Sequence, residues 1–395
     1  MHSWEPPRWR SLKPLRENRH RSMRHVPTAC APTDRFSMPI RPTVVLYALA
    51  VVLAIPPIMR ADIQRQDFFI SGGAGQLHVR EVRLTETKST RNVLLVHGGG
   101  PGGVPSFDLP VRDYSLAEDL ARSGFLVFVM DVRGWGSSTR PPEMDQPLDH
   151  SAPLVSTKEA ADDIATVVEW IAHRTHHKVA VMGWASGGHW ACAYASREPS
   201  DLSQLILLNS LYAVNASWEL RSALHDKNDP QRFDSHAGGY RLADRNALLR
   251  RWDTSIPSTD KSVWREPAVA EAYSRLTLES DPTSSRRNPP SVRIPIGYLR
   301  DAFDLSVGTS LFDAARIRVP TLIVRGELDF WSRPADLEAL HRDLVNAPSV
   351  RIVTIRGATH YVFLDRPNHG RARFVSELTT FLKGQQRGAS GHRPN

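Results

Sequence analysis

Lys178-Val-Ala-Val-Met-Gly-Trp-Ala-Ser-Gly-Gly188 passes within eleven residues from an apolar run to a cluster of glycines. Residues 178–182 have the length and apolar character of a strand buried on both faces. Ala191, Ala193 and Ala195 then mark a helix of small residues over about 188–196. Gly183, Gly187 and Gly188 place a tight turn between the two. The segment therefore predicts a strand, a sharp turn and a helix in direct succession.

The same alternation runs outward on both sides. Residues 76–83, 92–97, 125–131 and 205–208 read as strands, and residues 116–122 as a helix. Over residues 158–174, Ala161, Ile164, Val167, Val168 and Ile171 recur at helical spacing. The pattern breaks at 211–316, where helical pieces (243–252, 268–278) alternate with loops such as Asn288-Pro289-Pro290, and no buried strand is predicted. It resumes with strands at 321–325 and 350–355 and helices at 334–344 and 371–382. The expected class is α/β: a mostly parallel sheet flanked by helices, with an inserted helical cap. The predicted organisation is a basic leader (1–61), a first core part (62–210), the cap (211–316), a second core part (317–383) and a disordered tail (384–395).

The net charge of +8 on 395 residues suggests an anionic partner until its distribution is considered. Residues 1–42 hold nine basic and three acidic side chains, so six of the eight positive charges belong to the leader. The remaining body is nearly balanced and offers no basic stripe with interleaved aromatics, which argues against nucleic acid. Residues 43–55 form an uninterrupted apolar run, short for a bilayer span, followed by Pro56-Pro57 and the small residue Ala61. The region from about Met38 to Ala61 reads as a signal peptide, which implies a secreted or periplasmic protein; an uncleaved membrane anchor is the alternative. Cys30 falls in the leader and Cys192 on the small-residue helix, so no disulfide between them is expected.

Open parallel sheets bind ligands beyond the carboxyl ends of their strands, so the loops there decide the chemistry. After the strand ending at His97 comes His97-Gly-Gly-Gly-Pro-Gly-Gly103, able to aim bare N–H groups at an anionic oxygen. After residue 130 comes Asp131-Val-Arg-Gly-Trp-Gly-Ser-Ser138, in which Asp131 and Arg133 are expected to pin the loop. Asp329 follows the strand at 321–325, and His360 follows the last strand, in Gly357-Ala-Thr-His360. Each of the latter two alone would pass as a helix cap or a packed imidazole.

Together these loops resemble the α/β-hydrolase superfamily over about residues 66–383, with local likeness to esterases and proline iminopeptidases. The resemblance implies a nucleophile elbow, G-x-S-x-G, on Gly183 and Gly187, with Asp329 and His360 completing a Ser-His-Asp set in the family's chain order. It also implies an oxyanion hole from the N–H of Gly99 or Gly100 and of Ser186. This chain departs from the family at one position: the nucleophile is Ala185, whose methyl group cannot attack a carbonyl. Three readings are open, namely a serine-to-alanine substitution in an otherwise intact site, a natural loss of hydrolysis, or a register slipped by one residue with Ser186 as nucleophile. The intact surroundings favour the first, and Trp184 in place of the elbow's first glycine disfavours the last.

The implied activity is cleavage of an ester, or an amide, of a small organic substrate, with no cofactor and no metal. Proline iminopeptidase-like cleavage is the second reading; it requires acids for the substrate ammonium, with Glu271 and Asp301 as cap candidates. A non-hydrolytic binding or lyase-like protein is the third. His173, His176 and His177 read as a solvated helix end rather than metal ligands, and Asn215-Ala-Ser217 is a glycosylation sequon. Trp218, Tyr240, Trp264, Tyr273 and Tyr298 are the aromatics that either line the pocket or fill the cap.

Overall fold

In the computed structural model the described residues are 62–384, except 74 and 86–88. The leader, the signal segment, Cys30 and the tail beyond residue 384 lie outside them. The chain lays down β1 (Ile63–Gly72), β2 (Gly75–Leu84), β3 (Asn92–Val96), β4 (Leu126–Met130), β5 (Val179–Trp184) and β6 (Leu202–Leu208) before the cap segment. Within that segment come β7 (Tyr240–Asp244) and β8 (Ser291–Pro295), and after it β9 (Thr321–Leu328) and β10 (Val350–Thr359). Eight strands form one sheet in the order β1-β2-β4-β3-β5-β6-β9-β10, antiparallel where β1, β2 and β4 pair and parallel from β4 onward.

Every residue of β3 and β5 is buried, as expected of central parallel strands covered on both faces. β3 lies between β4, which follows it in the chain, and β5, which follows β4, so the strand order reverses there. A crevice opens at such a reversal beyond the strand ends, and the loops after β3 and β5 both enter it.

The helices are α1 (Gly103–Phe107), α2 (Leu116–Arg122), α3 (Thr157–Thr175), α4 (Ser186–Ala195), α5 (Arg245–Ser255), α6 (Pro267–Glu279), α7 (Gly297–Ser306), α8 (Pro334–Asp343) and α9 (Arg371–Leu382). Ser156 and Glu159 form a capping box on α3, a device worth about 1 kcal/mol. The end of α3 leaves His173, His176 and His177 exposed, with His176 in the left-handed cap conformation. All ten residues of α4 are buried, Cys192 among them. Among the described residues no helix is long and apolar enough to cross a membrane.

One expectation fails: residues 211–316 do contain a buried strand. β7 and β8 pair antiparallel as a separate two-stranded sheet, and β8 is buried throughout. The apolar pattern of Ser291-Val-Arg-Ile-Pro295 is broken by Arg293. That guanidinium is buried because Asp281, itself buried, accepts its Nε–H at 3.0 Å and Asp145 accepts from Nη1 at 2.5 Å. A charged side chain inside a strand is permitted when its partner is buried with it, and hydropathy does not show the partner. β1, α1 and α7 also go beyond the elements expected from sequence.

Candidate active site

The turn after β5 is strained at one residue. Ala185 has φ 54° and ψ −114°, a conformation that costs a side-chain-bearing residue about 1–3 kcal/mol. Ser186 is the first residue of α4. A Cβ on Gly183 would stand 2.1 Å from the carbonyl oxygen of Gly187, so the backbone crosses itself too closely for any other residue there. The two glycines thus bracket Ala185, and its methyl group lines a cavity of about 290 Å³ at the carboxyl end of the sheet. Ser186 lines the same cavity, but its Oγ is buried and has no hydrogen-bond partner among the described residues.

His360 enters that cavity from the far end of the sheet. Its Nδ1 lies 2.6 Å from Oδ1 of Asp329, whose side chain is fully buried. Asp329 also accepts the N–H of Trp331 at 3.0 Å, the N–H of Ser332 at 2.8 Å and the Ser332 hydroxyl. These donors fix the carboxyl group in place, and its Oδ1 faces Nδ1 of the ring, the arrangement that puts the ring proton on Nδ1. Nε2 is then the free base.

Sequence reading misses two residues that hold this histidine. The amide of Asn209, just beyond β6, donates to the carbonyl oxygen of His360 at 2.9 Å and accepts the N–H of Gly326 in β9 at 2.8 Å. Its positive φ (52°), tolerated by asparagine, is the signal that only a structure provides. Asp365 accepts the N–H of Thr359 at 2.8 Å and the Nε1–H of Trp252 at 3.0 Å. Burial pushes its carboxyl up to about 6 against these hydrogen bonds.

The loop after β4, Asp131–Ser138, is pinned as the sequence suggests, through different partners for its two charges. Asp131 accepts the N–H of Gly103 at 2.6 Å and of Ser137 at 3.0 Å, tying the loops after β3 and β4 together. Burial would raise this carboxyl, yet the His78 imidazole at 2.7 Å holds it down at about 2. Arg133 pairs instead with Asp163 of α3 at 2.5 Å. His97 accepts the N–H of Val132 at Nε2 (3.1 Å), and Nδ1 lies 2.7 Å from the carbonyl of Gly98. Burial keeps this ring neutral by lowering its pKa. Gly99, Gly100 and Ser186 all line the cavity, and none of their N–H groups has an acceptor among the described residues.

The other sequence candidates divide. Tyr273 and Tyr298 line the cavity, whereas Trp218, Tyr240 and Trp264 do not. Glu271 pairs with Arg245 at the surface, and Asp301 accepts the N–H and hydroxyl of Thr157, so neither faces a substrate.

His189, one turn into α4, is fully buried with both ring nitrogens unpartnered among the described residues. Burial lowers its pKa to about 3, against about 6.5 for a free histidine. A depressed histidine contributes stability that is whole above about pH 6.5 and is lost as pH falls through that value toward 3. At pH 5 the loss is about 2 kcal/mol. His189→Leu is therefore expected to raise stability at pH 7 by about 1–3 kcal/mol, since an unsatisfied polar ring disappears. It also removes that part of the acid sensitivity. Urea midpoints of both proteins at pH 7.5 and pH 5 check this, and an equal fall in the two would refute it.

Known proteins resemble this chain as follows. The profile of a family described as alpha/beta hydrolase fold matches residues 92–367. The 2-hydroxy-6-oxononadienedioate/2-hydroxy-6-oxononatrienedioate hydrolase 1 of Pseudomonas putida is 28% identical over 142 residues, or 35% of this chain. That match spans only 42% of the relative's length. The 1-acylglycerol-3-phosphate O-acyltransferase of Arabidopsis thaliana is 23% identical over 354 residues, 82% of this chain and 78% of its own. Among solved structures, an esterase from Exiguobacterium antarcticum superposes with a TM-score of 0.55 at 18% identity, over 80% of this chain and 100% of that one.

Proposed function

The chain belongs to the α/β-hydrolase fold family, and we propose that its site is that of a serine hydrolase cleaving an ester of a small organic acid, with serine the functional occupant of position 185. The single observation that carries this reading is the His360–Asp329 pair at 2.6 Å, opening on the cavity that Ala185 lines. A polar dyad so supported on its Asp329 side has no packing role that an apolar pair would not fill more cheaply.

The proposed steps use groups that line the cavity. A serine Oγ at 185 attacks the substrate carbonyl carbon while its proton passes to Nε2 of His360. The carbonyl oxygen becomes an oxyanion held by the N–H of Ser186 and that of Gly99 or Gly100. Collapse breaks the ester C–O bond, and the leaving alkoxide takes the proton from His360. Water then repeats the sequence on the acyl-enzyme: His360 accepts its proton and returns it to the serine oxygen as the acid departs. With alanine at 185 the first bond cannot form, and only binding and oxyanion stabilisation remain.

The register that makes Ser186 the nucleophile has less support, because the strained turn residue is 185 and Ser186 already belongs to the helix. The aminopeptidase reading lacks its acid: among the described residues no aspartate or glutamate lines the cavity. A fluorophosphonate probe tests the proposal. Labelling is expected for the Ala185→Ser protein, with the adduct on residue 185, and none for the Ala185 form. Equal labelling of both would move the nucleophile to Ser186.

A further inference from the structure

The cavity lining contains three arginines, Arg241, Arg250 and Arg251, and no carboxylate. Two of the three are paired or open to water. Arg251 pairs with Glu219 at 2.9 Å, and Arg250 is exposed. Arg241, on β7, is half-buried and has no acidic partner among the described residues. Among the described residues its guanidinium makes one hydrogen bond, from Nε–H to the hydroxyl of Tyr298 at 3.2 Å. Both terminal nitrogens of the guanidinium remain unused.

Tyr298 fixes where that charge sits. Its ring lies directly on the glycine loop, so closely that a Cβ on Gly99 would stand 2.3 Å from it. Trp135 and Trp331 flank the ring, with centroids 6.4 and 6.1 Å away. The guanidinium is thereby held one tyrosine length from the oxyanion loop, over a cavity whose other walls are largely apolar. A cation partly removed from water and left without a counter-charge is unfavourable unless a ligand supplies one. Two parallel N–H groups on a planar fork match a carboxylate edge-on. Arg250, also without an acidic partner among the described residues, is exposed at the rim, so the half-buried fork of Arg241 is the one placed to meet a planar carboxylate inside the cavity.

We propose that this site takes substrates bearing a free carboxylate, such as half-esters of dicarboxylic acids, and that Arg241 is the residue that selects them. Arg250, at the rim, draws anions toward the opening. The selection of an ester rests on the hydrolase reading above, whereas the recognition of the anion does not.

The test needs no turnover. The Ala185 protein is titrated calorimetrically with two pairs of ligands. Mono-para-nitrophenyl glutarate against para-nitrophenyl pentanoate puts the charge on the acyl side, and para-acetoxybenzoate against its methyl ester puts it on the leaving side. The anion of at least one pair is expected to bind about 10- to 100-fold more tightly than its neutral partner. Arg241→Gln is expected to erase that preference, and Arg241→Lys to keep only part of it. Parity within both pairs, or a preference that survives Arg241→Gln with unchanged circular dichroism, overturns the proposal. If the glutamine variant does not fold, Arg241→Lys decides, and a loss of preference below about threefold counts against it. A silent Ala185→Ser enzyme toward the neutral esters would sink the hydrolase reading alone, since these binding ratios are measured without a nucleophile.

Discussion

Ester hydrolysis by the Ala185→Ser protein is expected to exceed that of the Ala185 form by about 10⁴- to 10⁶-fold in kcat, the usual effect of a nucleophile in such a constellation. The expectation is steep because, on the proposed reading, a serine oxygen is what the site lacks. His360 is oriented by Asp329, the amides of Gly99, Gly100 and Ser186 are without acceptors among the described residues, and the turn already holds residue 185 at φ 54°. A serine meets the same backbone penalty as alanine there, so the substitution adds the hydroxyl without a new strain. Burst kinetics with para-nitrophenyl esters would show the acyl-enzyme, and melting curves should differ by no more than a surface-type change. A restored-serine protein no faster than the alanine form would end the hydrolase reading.

In that restored background, Asp329→Asn is expected to lower kcat by about 10⁴-fold while KM changes little. The reason lies in the donors around the carboxylate. Oδ2 accepts both the N–H and the hydroxyl of Ser332, so the amide oxygen of asparagine is expected to take that place, and the N–H of Trp331, which bonds Oδ1 beside His360, loses its acceptor. Its NH₂ group is then turned toward Nδ1 of His360 and forces the proton onto Nε2. The ring is left in place but can no longer take a proton from serine. The kcat-to-KM split distinguishes this from general damage, and a loss below tenfold would mean that Asp329 does not orient the ring.

How much of this is legible in the sequence depends on whether a feature is local. The turn around Ala185 is readable because Gly183 and Gly187 stand at fixed spacing beside a buried strand. Asp329 and His360 are readable because each falls just beyond a strand in a known chain order. Asn209, Asp365 and Arg241 are not, since each acts across elements distant in sequence: Asn209 reaches the carbonyl of His360, and Arg241 reaches Tyr298. The buried strand β8 is hidden for the same reason, because Asp281 neutralises Arg293 from outside it. Hydropathy reports what a residue is and says nothing of what lies beside it.

β6 and β9 are hydrogen-bonded neighbours, Leu205 opposite Thr321 and Leu208 opposite Val324, although more than a hundred residues separate them in the chain. Everything between leaves the sheet at one strand and rejoins it at the next, without crossing another pairing. The excursion still reaches back to the sheet's loops, for Trp218 donates to the carbonyl of Trp331 and Trp252 to the carboxylate of Asp365. One cavity is thus walled from two sources, the loops of the sheet on one side and the excursion's Leu220, Arg241 and Tyr273 on the other.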